Sequence, residues 1–178
     1  MNYVLLIILI VVIFIVIALG IAVLWFRNVI RTLYRDYDSR EKVIGNGFKN
    51  TLVLYQPSKH NSVNIVCRYI VEGLAGKDYK TTINYLNTFS LYSIDNYELI
   101  VLVSPVYMGR VSPRIKEFVS GQLIKNKTIL LCSVGLILDE VKETDEIVKL
   151  IDESNKLIRI KTNDREISKF RHEIEKAL

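Results

Sequence analysis

The chain has 178 residues, with 24 Lys+Arg against 19 Asp+Glu for a net charge of +5, and a mean hydropathy of +0.24. Half of it is apolar although 24% is charged, and the two are segregated: within residues 1–26 only Asn2 and Gly20 fall outside the apolar set, and every charged residue lies from Arg27 onward. The remainder is about 43% apolar, the ordinary share for a soluble domain, which excludes a polytopic membrane protein, a disordered chain and, with two Cys, a disulfide-dense miniprotein.

Tyr3 to Phe26 has the length of a helix of about 36 Å, enough to cross about 30 Å of hydrocarbon. A signal peptide is the rival reading. Against it stand the missing positive n-region, the length of the apolar run and the loose cleavage-like Ala18-Leu19-Gly20. Residues 1–26 are therefore expected to be an uncleaved transmembrane anchor, held in membrane lipid through residues 3–26. Tyr3 and Trp25-Phe26 sit where interfacial aromatics belong. Arg27, Arg31, Arg35, Arg40 and Lys42 follow at once, which predicts a single-pass protein of the cell membrane with its C-terminal domain cytoplasmic. In that reducing compartment Cys67 and Cys132 read as buried thiols. The pI of 9.1 owes much to this basic collar, so anionic lipid explains it better than nucleic acid.

Residues 27–50 read as a basic juxtamembrane linker. The spacing of Ile30, Leu33, Tyr34 and Tyr37 carries the helix on to about Tyr37, and Gly45-Asn46-Gly47 marks a break before the domain, residues 51–178. Thr51 to Tyr55 predicts a strand. Ser62 to Leu74 predicts a helix with Ile65, Val66, Tyr69 and Ile70 on one face. Thr81 to Leu86 is a weaker strand, Leu91 to Asn96 a spacer, and Leu99 to Ser104 a fully buried strand. A helix is expected from Pro113, with Ile115, Phe118 and Val119 inward. Thr128 to Cys132 is a strand, Asp139 to Ile151 a helix, Leu157 to Ile160 a strand, and Arg165 to Leu178 a helix with Ile167, Phe170, Ile174 and Leu178 on its core side and His172 at the surface. Strands alternating with helices predict right-handed crossovers and an open three-layer α/β sandwich with a five-stranded parallel sheet.

Ligands in such sheets bind beyond the carboxyl ends of the strands. The loop after the first strand, Gln56 to Val63, offers short polar residues at a helix start, suited equally to surrounding an anion and to capping the helix. His60 and His172 stand alone and the two Cys are far apart in the sequence, so no metal site is expected. Asp residues that a receiver domain needs at its strand ends are replaced by Gln56-Pro57 and Ser104-Pro105.

The third-strand segment YELIVLVSPVYMGRVSPRIKEFV, Tyr97 to Val119, resembles the flavodoxin family, where a strand ending in Ser-Pro leads through an aromatic and a Gly to a Ser-Pro-initiated helix. TLVLYQPSKHNSVNIVCRYIVEGL resembles that family's first strand, phosphate loop and first helix. The resemblance covers residues 51–178 and implies a 2-1-3-4-5 strand order and a flavin mononucleotide (FMN) site. It lays the phosphate loop on Ser58, Lys59, His60, Asn61, Ser62 and Val63, where Ser58 alone keeps the family's residue type. A register one residue along would put Asn61-Ser62 on the family's Asn-Thr. It lays the flavin ring between Ser104-Pro105-Val106-Tyr107-Met108-Gly109 and Cys132-Ser133-Val134-Gly135-Leu136, with Ser133, Val134 and Gly135 as the site residues of the second loop and Tyr107 stacking on the ring. The function implied is electron transfer through FMN to or from a membrane redox partner or quinone. The alternative is a degenerate flavodoxin fold without FMN, acting as a tethered interaction module.

Overall fold

The structure is a computed structural model and describes residues 2–87, 92–136, 141–163, 165, 166, 172 and 174. It divides into two units, Met1–Thr32 and Leu33–Leu178. The first is almost entirely helix α1, Tyr3–Tyr34, whose apolar side chains are exposed along its length. By length and composition its Tyr3–Thr32 portion is able to cross a membrane, a test that a signal sequence also passes. The helix stops at Tyr34, three residues short of the expected Tyr37, and Tyr37 instead packs its ring at 5.6 Å from that of Tyr85.

The second unit is built on a six-stranded sheet: β1 (Lys42–Ile44), β2 (Lys49–Tyr55), β3 (Tyr79–Tyr85), β4 (Leu99–Pro105), β5 (Thr128–Val134) and β6 (Lys156–Thr162), in the spatial order β1-β3-β2-β4-β5-β6. The five parallel strands β3-β2-β4-β5-β6 reproduce the expected 2-1-3-4-5 order. The addition is β1, which pairs antiparallel with β3 through Lys42↔Ile83 and Ile44↔Thr81 and makes an edge strand out of part of the expected linker. The break at Gly45-Asn46-Gly47 is the tight return from β1. Gly45 has φ +86°, and a Cβ on Gly47 would collide with the Asp78 carbonyl.

Alternation along the central strands divides their side chains between two cores. Val53, Val101, Val103, Leu130 and Cys132 face one side, where helix α2 (Ser62–Ala75) and Ile174 cover them. Leu52, Leu54, Ile100, Leu102, Ile129 and Leu131 face the other, beneath helix α3 (Pro113–Gly121) and the short helix α4 (Asp145–Val148). On α2 the buried stripe is Val63, Val66, Cys67, Ile70, Val71 and Leu74; Ile65 and Tyr69 are only half-buried, so the expected face is rotated. Pro113 does start α3, behind the cap Ser112, whose hydroxyl accepts from the Arg114 amide at 3.3 Å, and Ile115 and Val119 are buried.

The helix expected over Asp139 to Ile151 is cut to four residues in the described part of that range. A 3-10 turn at Lys142–Thr144 leads into the single turn of α4. Its charged residues turn inward to meet those of β6: Lys161 reaches Glu143 at 3.1 Å, and Arg159 bonds Thr144 and Asp145. His172 and Ile174 are helical, exposed and buried as expected, whereas Ile167, Phe170 and Leu178 lie outside the described residues. Cys67 and Cys132 are free, buried thiols.

Residues 34–41 run as a strap over the carboxyl edge of β2 and β3. The Gln56 amide donates to the Arg35 carbonyl at 2.9 Å, the Arg114 guanidinium reaches the Tyr34 carbonyl and Asp36 at 3.2 Å, and the Arg40 N–H donates to Asn84 Oδ1 at 2.7 Å. Asn84 in turn donates to Ser39 Oγ at 2.7 Å, and Asn87 to the Tyr37 carbonyl at 3.2 Å.

Candidate functional site

Strand order reverses between β2 and β4, because the chain leaves β2 toward β3 and returns on the other side to β4. Such a switch point leaves a crevice between diverging loops. Here it is a cleft of about 450 Å³, with Ser58, His60 and Ser62 on one wall, Pro105, Val106 and Tyr107 on the second, and Val134, Gly135 and Leu136 on the third; Asn163 and Arg165 complete it. That volume is within the ordinary range for small-molecule sites.

The loop after β2 is shaped by two features. Asn61, just before α2, takes φ +62°, a left-handed conformation that Asn tolerates better than most residues. Ser58 Oγ accepts the Val63 N–H at 3.2 Å and so caps the helix, which leaves its own hydroxyl hydrogen available to an acceptor. The N-terminus of the 14-residue α2 thus faces the cleft wall, with the positive end of its dipole there. Val63 is fully buried in the core. It belongs to the packing of α2 against the sheet, so this sixth position of the predicted phosphate loop contributes no group to the cleft.

The loop after β4 is held more firmly. Ser104 is fully buried; its hydroxyl accepts the Ser112 amide at 2.8 Å and donates to the Pro105 carbonyl at 2.9 Å, which ties the end of the strand to the start of α3. Between them, Tyr107 and Arg110 exchange backbone hydrogen bonds at 2.9 and 3.1 Å around Met108 (φ +53°) and Gly109 (φ +71°). Positive φ at both central residues is the geometry of a type I′ hairpin turn. For Met108 that is a strained conformation, and its side chain stands exposed at the rim. Around Gly109 a Cβ would meet nothing within 4 Å, so this backbone is open to close approach.

Tyr107 connects the two loops. Its hydroxyl accepts the Lys59 N–H at 3.1 Å, so the ring spans the cleft from the β4 loop to the loop after β2 and engages one of the amides there. Gly135, after β5, donates its N–H to the Thr162 carbonyl at 2.9 Å; a Cβ on it would lie 3.2 Å from that of Val106, so Gly lets the second and third walls close on each other. Ser133 is fully buried and turns its hydroxyl to Glu143 at 2.6 Å.

Of the fifteen predicted site residues, eight line the cleft: Ser58, His60, Ser62, Pro105, Val106, Tyr107, Val134 and Gly135. Lys59, Asn61, Ser104, Met108, Gly109 and Ser133 shape its walls through their backbone or a buried hydrogen bond, and Val63 is core. Leu136, at the end of the expected loop after β5, also lines the cleft; Asn163 and Arg165 are not anticipated by the sequence. The last two follow β6, whereas the expected site residues lie on the loops after the first, third and fourth parallel strands. Also unanticipated is the buried pair behind the third wall, Lys161 with Glu143, whose side chains are 8% and 4% exposed.

A family profile described as "Flavodoxin domain" matches residues 52–167. The chain belongs to the flavodoxin family. No protein of curated function matches the sequence. Among solved structures, a flavodoxin from the domain Archaea is 12% identical with a TM-score of 0.54, matching 72% of this chain and 95% of its own. Oxidised flavodoxin 2 from Bacillus cereus is 14% identical with a TM-score of 0.51, over 72% and 99%. A flavoprotein from Lactobacillus acidophilus NCFM, solved in complex with FMN, is 15% identical with a TM-score of 0.50, over 68% and 97%. At these identities the likeness is one of fold.

Proposed function

We propose that this flavodoxin-family chain binds FMN in the cleft at the β2/β4 switch point and passes electrons to or from a membrane partner or quinone, with α1 as its single membrane anchor and the domain on the cytoplasmic side. The observation that carries the reading is the convergence of the loops after β2, β4 and β5 on one cleft of about 450 Å³. The residues present fit the group. Ser58 keeps an unspent hydroxyl hydrogen beside the N-terminus of α2, Ser62, His60 and Arg165 add polar and cationic surface, and Tyr107 with Val106, Val134 and Leu136 gives an aromatic and apolar bed.

When bound, FMN would supply the redox chemistry itself. The chain's own residues would do the rest. Ser58 and the amides opening α2 would hold the phosphate, with Arg165 balancing its charge. Tyr107 would present its ring to the flavin, and the positive-φ turn at Met108-Gly109 would bring backbone close to the ring edge. The orientation of the domain follows from the basic residues after the apolar segment.

A second reading, a fold that has given up FMN and serves as a tethered interaction module, is favoured by Val63 in the core and by Tyr107 bonded to the Lys59 amide, each of which removes a donor from the phosphate loop. Titration of the purified full chain with FMN separates the two. Quenching of flavin fluorescence at micromolar FMN, weakened in Tyr107→Ala, supports the carrier. No quenching leaves the interaction module.

A further inference from the structure

A second cavity, of about 440 Å³, lies on the other side of α2, between that helix and the β1-β3 edge of the sheet. Its floor is apolar, with Tyr55, Val71 and Ile83 among its residues, and its rim carries the cations Arg40, Lys42 and Arg68. The carboxylate on this rim is Glu72, 3.9 Å from Arg68. Two of the three cations come from the chain segment that follows α1, and their backbone is held against β3. Arg40 donates its N–H to Asn84 and sets its guanidinium 5.9 Å from the centre of the Tyr85 ring; Lys42 and Ile44 are held by the β1 pairing with β3. The edge strand that sequence reading placed in a linker is therefore a wall of this groove.

We propose that this groove holds one anionic phospholipid of the membrane that α1 enters, an acyl chain lying along the apolar floor and the headgroup phosphate meeting Arg40, Lys42 and Arg68. The charge and the polarity of the groove match that amphiphile at both ends. The wall begins only a few residues after α1 ends, so a lipid of the adjoining leaflet is the anionic amphiphile nearest to it along the chain. Ala75, exposed at the end of α2, lines the groove without entering the core and gives a way to fill it. The proposal rests on α1 being a membrane span, and it is independent of FMN.

The test uses the full chain reconstituted into bilayers of phosphatidylcholine alone or of equal parts phosphatidylcholine and phosphatidylglycerol, then released into mild detergent for native mass spectrometry. The groove retains one phosphatidylglycerol in preference to phosphatidylcholine. Arg68→Glu reduces that retention about tenfold, and Ala75→Trp, which occupies the floor, removes it while the thermal transition stays in place. Equal retention of both lipids, or retention indifferent to Ala75→Trp, overturns the proposal. An alkaline carbonate wash of the same vesicles tests the anchor separately. A chain that stays in the vesicles but shows no Ala75-sensitive preference for phosphatidylglycerol sinks the groove and leaves the anchor, and one that washes off sinks the anchor and the proposal with it.

Discussion

The walls of the switch-point cleft are built in different ways. Those after β4 and β5 are fixed from behind by buried polar groups: Ser104 ties its strand to α3, and Ser133 and Lys161 both bond Glu143 beneath Gly135. The wall after β2 has one capping hydroxyl, a left-handed Asn61, and a hydrogen bond that its Lys59 N–H donates to the Tyr107 hydroxyl across the cleft. The difference teaches that the walls after β4 and β5 are set by buried bonds within the fold, whereas the wall after β2 is held by a helix cap and by its contact across the cleft.

The largest effect should come from the buried set. Glu143→Ala leaves the Lys161 ammonium buried without its carboxylate and should cost about 3–5 kcal/mol in thermal or urea unfolding, whereas the paired change Glu143→Leu with Lys161→Met should recover most of it. If the single variant were nearly neutral, the claim of a wall fixed from behind would fail. Ser104→Ala strands the buried Ser112 amide and should cost about 1–3 kcal/mol, against about 1 kcal/mol for Ser58→Ala, which removes only a helix cap. Equal losses would erase the contrast between the walls.

The strands that carry the walls also line the core under α2, and its two thiols report on it. Burial raises the Cys67 and Cys132 thiols above their ordinary range, and at Cys67 the charge of a neighbouring Cys132 thiolate adds to the effect. The unfolded chain therefore loses these protons first as pH rises. Stability should be flat with respect to them below the free thiol value of about 8.5 and fall above it, by about 1 kcal/mol per thiol one pH unit higher. Replacing both by Ala should flatten that limb of the unfolding profile, and an unchanged slope would place the titration elsewhere. The smallest effect concerns the bridge between walls. Tyr107→Phe keeps the ring and returns the Lys59 amide to the loop, so FMN should bind about fivefold more tightly; Tyr107→Ala should weaken it by a similar factor.

Much of this was legible along the chain. Leu99–Ser104 reads as a central strand because burial on both faces removes the need for polar alternation, and its Ser-Pro end carries the family pattern. What escaped was set by contacts distant in sequence. The strap is invisible because Gln56, Asn84 and Arg114 lie far from the residues they hold, and Lys42–Ile44, three residues long and exposed, is too short to read as a strand. The helix expected over Asp139 to Ile151 shortened because its charges pair with Arg159 and Lys161 on β6. Val63 was placed in the phosphate loop by alignment to a motif, although helical spacing with Val66, Cys67 and Ile70 sets it on the buried stripe. At the cleft, the family pattern located the loops, but the Tyr107 to Lys59 bond depends on two loops meeting in space.

The most direct test compares FMN with riboflavin on the same full-length chain, by flavin fluorescence quenching. The ring contacts are common to the two ligands and the phosphate is not. The account predicts that FMN binds at micromolar concentration or below, more tightly than riboflavin, and that Ser58→Ala narrows the gap between them. Equal affinity for the two flavins, or no binding of either, would contradict a phosphate site at the start of α2.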